Sequence, residues 1–346
     1  MTRPSAVVGW DIGGVNTKGA RLERAKGRLA IHSVCLPHEM QRHPEGLSRA
    51  LLDTAGQLGV APHDLHAVTM TAELSQAFRT KREGVGYVLD ALETTFPGAS
   101  LQVYTVEGRF VNPPEARTRP FAVGAANWAA TANLVAHAVP TSILIDIGTT
   151  STDLIPIVNG KVVACGSTDP ERLLSGELVY TGALRTPVEA VAPRVPLWGE
   201  NAGVAAEGFA LMGDAHLWLG RLRPEDYTCR TPDGRPPTRE FAGERLARAV
   251  CADREMLGDS DIDALAAALA DAQVRLVIES LQRIRRRWPE ITSAVVAGLG
   301  DFIAVEAAGT AGLSVVCLAD HLGSAARTAP AAAVAWLLWR NMESDR

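Results

Sequence analysis

The chain has 346 residues, 47% of them hydrophobic and 21% charged, with a formal net charge of −5. That length suits two lobes better than one core, and the acidic balance excludes a general nucleic-acid or anionic-membrane surface, which needs a basic excess. The start "MTRPSAVVGW" has none of the regions of a signal peptide, and no stretch offers the ~20 uninterrupted apolar residues of a membrane span. Cys35, Cys165, Cys229, Cys251 and Cys317 are scattered and form no C-x-x-C pair. They are expected to be free buried thiols of a reduced, cytoplasmic protein.

In chain order, "AVVGWDI", "TKGARLE" and "LAIHSVCL" read as three strands with tight turns. Helix then alternates with strand: "EGLSRALLDTAGQLG" has helical spacing, "HAVTMTAEL" is a buried strand and "GVGYVLDALETTF" is helical again. "LQVYTVEGRFV" reads as one strand, and "AVGAANWAATANLVAHA" as one long helix. At Thr141 the programme restarts with "SILIDIGTTSTDLIPIVNGKVVACGS", a strand, a turn, a strand, an Asn159-Gly160 turn and a third strand. From 196 to about 260 the chain turns rich in Gly, Pro and charge, an insertion that is partly helix and partly loop. A long helix follows, then strand "SAVVAGLG", helix "FIAVEAAG", strand "LSVVCLA" and a closing helix. The pattern predicts an α/β fold of two related lobes with a cleft between them. The first spans 1–135, with the helix 329–343 packing back on it, and the second spans 140–328 with the insertion inside it.

Each lobe opens on the same device. "GWDIGGVNTKGA" and "LIDIGTTSTDLI" each place an Asp after apolar residues, then Ile-Gly, then small polar residues. A glycine-bearing turn lets backbone N–H groups approach a phosphate. Gly13, Gly14, Asn16, Thr17 and Lys18 form the first candidate phosphate site, and Gly148, Thr149, Thr150 and Ser151 the second. Carboxylates beside phosphates repel unless a cation intervenes, so Asp11 and Asp146 are candidate Mg²⁺ ligands, through water, with Lys18 as a compensating charge. A third element, "VVAGLGDFIA", ends a strand in Gly298 and Gly300 at the head of a helix, a place suited to an anionic ligand. One such turn alone is more often a plain β-turn, but two that each open a lobe favour two facing turns clamping a polyphosphate.

The trio "DIGGVNTK", "DIGTTSTD" and "AGLGD", in this order, resembles the sugar kinase/Hsp70/actin superfamily, which implies two ribonuclease H-like lobes, as in actin-like ATPases. "SGELVYTGALRTPV" and "AEGFALMGDAHLWLGRL" are similar to the hydantoinase A/oxoprolinase branch. "MTAELSQAF" and "NWAATANLVA" resemble proteins of tetrahydromethanopterin-linked C1 transfer, whose archaeal relatives include a synthase of methanofuran biosynthesis. This resemblance implies a cytoplasmic transferase that uses no ATP. It would join an aminomethylfuran bearing a methyl diphosphate to the phenol of γ-glutamyltyramine or a tyrosine-type acceptor, releasing diphosphate. The phosphate clamp would then hold a substrate's leaving group, with Lys18 and Asp146 assisting catalysis.

Candidates for the base lie outside the clamp. Glu73 ends a predicted strand, where open α/β folds place ligands; a surface Glu at a strand end is the equal alternative. Glu207 and Asp214 are seven apart, so a helix would set both on one face, with His216 nearby for a second metal or a substrate amine. Arg185 is suited to a phosphate or carboxylate, and equally to a surface ion pair. Two other classes stay open: an ATP-dependent kinase or hydantoinase/oxoprolinase-type hydrolase, and a non-catalytic nucleotide-binding regulator. Partners are expected to be small molecules, with neither nucleic acid nor membrane; nucleotide binding and homo-oligomerisation are left open.

Overall fold

The computed structural model describes residues 6–25 and 27–344. Six strands form the first sheet: β1 (Ala6–Ile12), β2 (Asn16–Ala25), β3 (Arg28–Pro37), β4 (Leu65–Met70), β5 (Leu101–Tyr104) and β6 (Phe110–Val111), in the order β3-β2-β1-β4-β5-β6. The first three pair antiparallel, and β4 and β5 join parallel to β1. Ile12 and Met70 lie side by side, so the segments that follow β1 and β4 leave the same sheet edge. Trp10 and Ile12 reach one core with Leu47 and Leu51 of the helix Leu47–Leu58 and Leu89 of the helix Lys81–Thr95. The helix Ala329–Ser344 packs on β1, β2, β4 and the helix Asn127–Ala138. It approaches so closely that a Cβ at Gly9 would stand 1.9 Å from the carbonyl oxygen of Ala331.

The second sheet repeats this design. Its strands are β7 (Ser142–Ile147), β8 (Thr152–Val158), β9 (Lys161–Val162) and β10 (Leu178–Val179), and, after a separate hairpin of β11 (Arg194–Leu197) with β12 (Glu200–Gly203), β13 (Ser293–Ala297) and β14 (Ser314–Cys317). The order is β10-β8-β7-β13-β14, with β9 on β8. As β4 does with β1, the much later β13 joins β7 in parallel. Asn159 and Gly160 turn the β8–β9 hairpin with φ of 51° and 74°, as the Asn-Gly pair requires. The expected insertion holds the helices Met212–Trp218 and Arg239–Arg248, whose apolar faces share a core with the long helix Asp259–Arg287.

The chain divides into two compact units. One holds the residues up to Ser142, Ile155–Arg172 and those from Cys317 onward; the other holds Ile143–Leu154 and Leu173–Val316. The expected second lobe of 140–328 thus gives up its start, Ile155–Arg172 and its end to the first unit. Two elements also differ from expectation. "LQVYTVEGRFV" is a hairpin, because Gly108 at φ 82° turns the chain and β6 runs back on β5. The helix expected over 122–138 is broken into Pro120–Val123 and Asn127–Ala138. Between them Gly124 forms a β-bridge with Met70, and the Ala125 N–H donates to the Met70 carbonyl at 3.0 Å. That segment continues the sheet edge beside β4, so its backbone groups are taken by a strand and not by a helix.

Candidate active site

In the first unit, the turn after β1 closes by the Gly13 N–H donating to the Asn16 carbonyl at 2.9 Å. In the second unit, the Gly148 N–H donates to the Ser151 carbonyl, also at 2.9 Å. The two motifs therefore share backbone geometry as well as letters. A Cβ at Gly14 would meet nothing within 4 Å and one at Gly148 only the Ser151 carbonyl at 3.7 Å, and neither residue has positive φ. Inside the protein neither glycine is required for space or conformation, which leaves these turns open to close approach from outside.

Asp11 is buried and receives Lys18 Nζ on Oδ2 at 3.0 Å, while its Oδ1 is buried without a hydrogen bond. Asn16 Oδ1 and Thr17 Oγ1 are likewise buried and unpartnered. A buried acceptor left bare is expensive, so Asp11 Oδ1 is the candidate for a cation; Thr17, paired with Ile12, lies on the opposite face of the sheet from Asp11, which pairs with Lys18. In the second unit Asp146 ends β7 beside Gly298, which β13 delivers at φ 90°. A Cβ there would lie 2.5 Å from Asp146 Oδ1 and 2.3 Å from the Ile147 carbonyl oxygen. The Gly300 N–H donates to that same carbonyl at 2.9 Å, just before the helix Asp301–Thr310. Asp146, Gly148, Gly298 and Gly300 are thus gathered at one edge of the second sheet.

Loop 181–186 braces the second turn. The N–H groups of Ala183, Leu184 and Arg185 donate to the carbonyls of Gly148 and Thr149. Arg185 itself is exposed, so its side chain extends from a backbone tied to Thr149. Behind the loop, Gln273 donates to Thr181 Oγ1 at 2.7 Å and to the Gly182 carbonyl at 2.9 Å, and its amide oxygen lies 2.7 Å from His216 Nε2. Burial pulls the His216 imidazole down to about 4, so it is neutral and structural at pH 7.

The pairing of Glu207 with Asp214 does not survive. Glu207 is exposed and precedes the helix Met212–Trp218, so the two share no helix face. Asp214 is fully buried, pairs with Arg245 at 2.7 Å, accepts from Tyr227 Oη at 3.1 Å and caps its helix through the Leu211 N–H. These contacts occupy it as a packing ion pair. No group of three His, Cys, Asp or Glu among the described residues is arranged for a metal, which removes the second-metal idea at His216. Cys35, Cys165 and Cys251 are exposed and Cys229 and Cys317 half-buried, against the expectation of buried thiols.

Glu73 is no surface residue. Its side chain is 0% exposed, in the segment that leaves β4 beside the first turn. There the Thr71 N–H donates to the Ile12 carbonyl at 2.9 Å. Neither Glu73 carboxylate oxygen accepts a hydrogen bond, and Lys81 Nζ stands 3.4 Å from Oε1. Two glycines clear its space: a Cβ at Gly84 would be 2.6 Å from Glu73 Cα, and one at Gly124 would be 3.1 Å from Oε1. Burial drives the Glu73 carboxyl up to about 7, with Lys81 opposing and Asp169 adding to the rise. A carboxyl tuned near neutrality at a strand end is a general-base candidate on physical grounds. Lys81 and Asp169 were absent from the sequence candidates; their only local signal is a Lys directly after the helix cap Thr80.

Comparison with known proteins places these features. The model of the hydantoinase/oxoprolinase family matches residues 64–341. (4-{4-[2-(gamma-L-glutamylamino)ethyl]phenoxymethyl}furan-2-yl)methanamine synthase of Methanocaldococcus jannaschii is 35% identical over 97% of this chain and 98% of its own. The protein of the same name from Methanococcus vannielii is 33% identical over 48% of this chain and 73% of its own. Among solved structures, the chain resembles a ROK family glucokinase from Streptomyces griseus, with TM-score 0.51, 14% identity and coverage of 96% and 98%. It also resembles a nucleotide-free acetone carboxylase, with TM-score 0.61, 12% identity and coverage of 96% and 70%. The fold is that of the sugar kinase/Hsp70/actin superfamily, and the chain belongs to the hydantoinase/oxoprolinase family.

Proposed function

We propose that this protein is a transferase that builds the furanylmethyl aryl ether named in its archaeal relatives. The observation that carries the reading is the 35% identity to such a synthase, sustained over 97% of this chain and 98% of the other. The product in that name joins a phenol oxygen to the methylene of an aminomethylfuran. The chemistry follows if the methylene arrives activated as a diphosphate ester: the phenol O–H loses its proton, the oxygen forms a bond to the methylene, and the C–O bond to diphosphate breaks with its electron pair on the leaving group. A furanylmethyl carbon carries developing positive charge well, so most of the barrier lies in stabilising the departing anion.

In this reading the turns Gly13–Lys18 and Gly148–Ser151 each bind phosphate oxygens through backbone N–H groups other than those of Gly13 and Gly148, which close the turns, with Lys18 and Arg185 as cations. Asp11 and Asp146 are each assigned, within their own unit, as a Mg²⁺ ligand, and Mg²⁺ when bound would neutralise diphosphate charge. Glu73 takes the phenol proton. Gly298 and Gly300 shape the edge beside Asp146, and no nucleotide is consumed.

The test is purified protein with Mg²⁺, aminomethylfuran-methyl diphosphate and either γ-glutamyltyramine or tyrosine, without ATP. Acceptor-dependent diphosphate release and a coupled mass are expected, with at least ~100-fold loss in Asp11→Ala and Asp146→Ala. Absence of turnover there, with ATP cleavage on adding a phosphoryl acceptor, would overturn the reading in favour of a kinase.

A further inference from the structure

Lys81 occupies a position that helix physics disfavours. It is the first residue of the helix Lys81–Thr95, directly after Thr80, whose side chain caps the Glu83 N–H at 3.2 Å. A helix start carries the positive end of the dipole and selects against cations. Lys81 is nonetheless drawn inward, only 20% exposed, with its ammonium 3.4 Å from Glu73 Oε1 and 2.7 Å from Asp169 Oδ2. Asp169 comes from 88 residues away, at the start of the helix Asp169–Ser175. Beside it stands Arg172, buried, 3.8 Å from Asp169 Oδ1 and stacked 4.4 Å over the Trp128 ring. All these residues lie in the first unit.

The geometry points to Lys81, anchored by Asp169, as a positioning residue for Glu73: it holds the buried carboxylate in its ionised, proton-accepting form and fixes where Oε1 stands. The inference rests on the assignment of Glu73 as the base of the proposed reaction. Three features carry it. The ammonium sits against the dipole preference of its own helix, so the Glu73 and Asp169 contacts are what hold it there. Gly84 and Gly124 leave room for the carboxyl but offer it no donor, so Lys81 is the cation paired with it. Finally, the two charges nearest Glu73 act oppositely, Lys81 favouring the carboxylate and Asp169 the acid.

The last feature makes the idea separable from a packing role. Without Lys81, burial and Asp169 both push Glu73 toward its acid form. In Lys81→Met the acidic limb of the kcat/KM profile should therefore move up by about one pH unit or more, with activity returning to within a few-fold of wild type at high pH. Lys81→Arg should restore the limb. In Asp169→Asn the limb should move down, because a like charge is removed. A loss of rate at every pH with no limb movement would reduce Lys81 to packing and overturn the inference. The titration of Glu73, followed by carboxyl ¹³C NMR in labelled substrate-free protein, gives the same answer without turnover and must shift in the same two directions. If Glu73→Gln keeps full activity while these NMR shifts appear, the assignment of the base fails and the Lys81 effect on Glu73 stands. If Glu73→Gln is inactive and no shift appears, only the Lys81 inference fails.

Discussion

Glu73 shows how one buried carboxyl can oppose the fold. Its carboxyl, ordinarily near 4.5, sits at about 7 in the folded chain, chiefly through burial. A raised folded value means that stability is fully present below pH 4.5 and is lost as pH rises through 7. Glu73→Gln should therefore be more stable than wild type at pH 8, by on the order of 1–3 kcal/mol, and equal to it at pH 4. Urea unfolding at the two pH values reads this directly, and the same variant should lose at least ~100-fold in ether formation. Asp11 and Asp146 could be singled out from sequence because each stands at the end of an apolar strand that a turn follows, and Glu73 because it comes just after one, although β4 stops at Met70 and not at Glu73 as expected. Lys81 and Asp169 could not, being polar residues at helix starts whose meaning depends on a contact across 88 positions. Asp214 misled for the same reason: its partner Arg245 is 31 residues away, and the i, i+7 spacing assumed a helix that begins only at Met212.

At the level of elements, glycines divide by what faces them. Gly9 is pressed against the carbonyl of Ala331, whereas Gly14 faces nothing within 4 Å. Gly9→Ala should cost about 3 kcal/mol, since a strand and a helix must part to admit the methyl, and urea midpoints will show it. Gly14→Ala should leave stability within ~0.5 kcal/mol yet raise the KM for the diphosphate substrate about tenfold or more, read from initial rates. A merely structural glycine would give the reverse pattern. Period and turn chemistry revealed most helices and strands, because alternation and 3.6-residue spacing are local. The break at Gly124 was hidden, since its cause is the edge of β4, whose Met70 accepts the Ala125 N–H.

At the scale of the whole molecule, burial lowers an imidazole strongly in each unit. His66 accepts from Trp10 Nε1 at 3.0 Å in the first, and His216 contacts Gln273 in the second; burial lowers both to about 4. A lowered folded value means that this contribution is present above pH 6.5 and is lost as pH falls to 4. Unfolding midpoints should drop across that window by on the order of 1–3 kcal/mol per site. The drop should be steeper in Glu73→Gln, where the opposing carboxyl is gone. The repeat of two sheets was legible because the opening hairpin recurs in the letters themselves, and the comparison with solved structures agrees. The assignment of Ile155–Arg172 to the first unit was not, because no local pattern records which neighbour a strand end will choose.

The helix Ala329–Ser344 buries ten residues, and Ala331 within it closes over Gly9 of β1. On a ribosome those partners are born far apart in time. At ~5–20 residues per second, β1 waits roughly 20–60 s with its glycine face uncovered while the intervening chain emerges. The first unit is thus begun first and completed last. Nascent chains stalled before Ala329 should remain bound by chaperones and sensitive to protease, and those released after Ser344 should not.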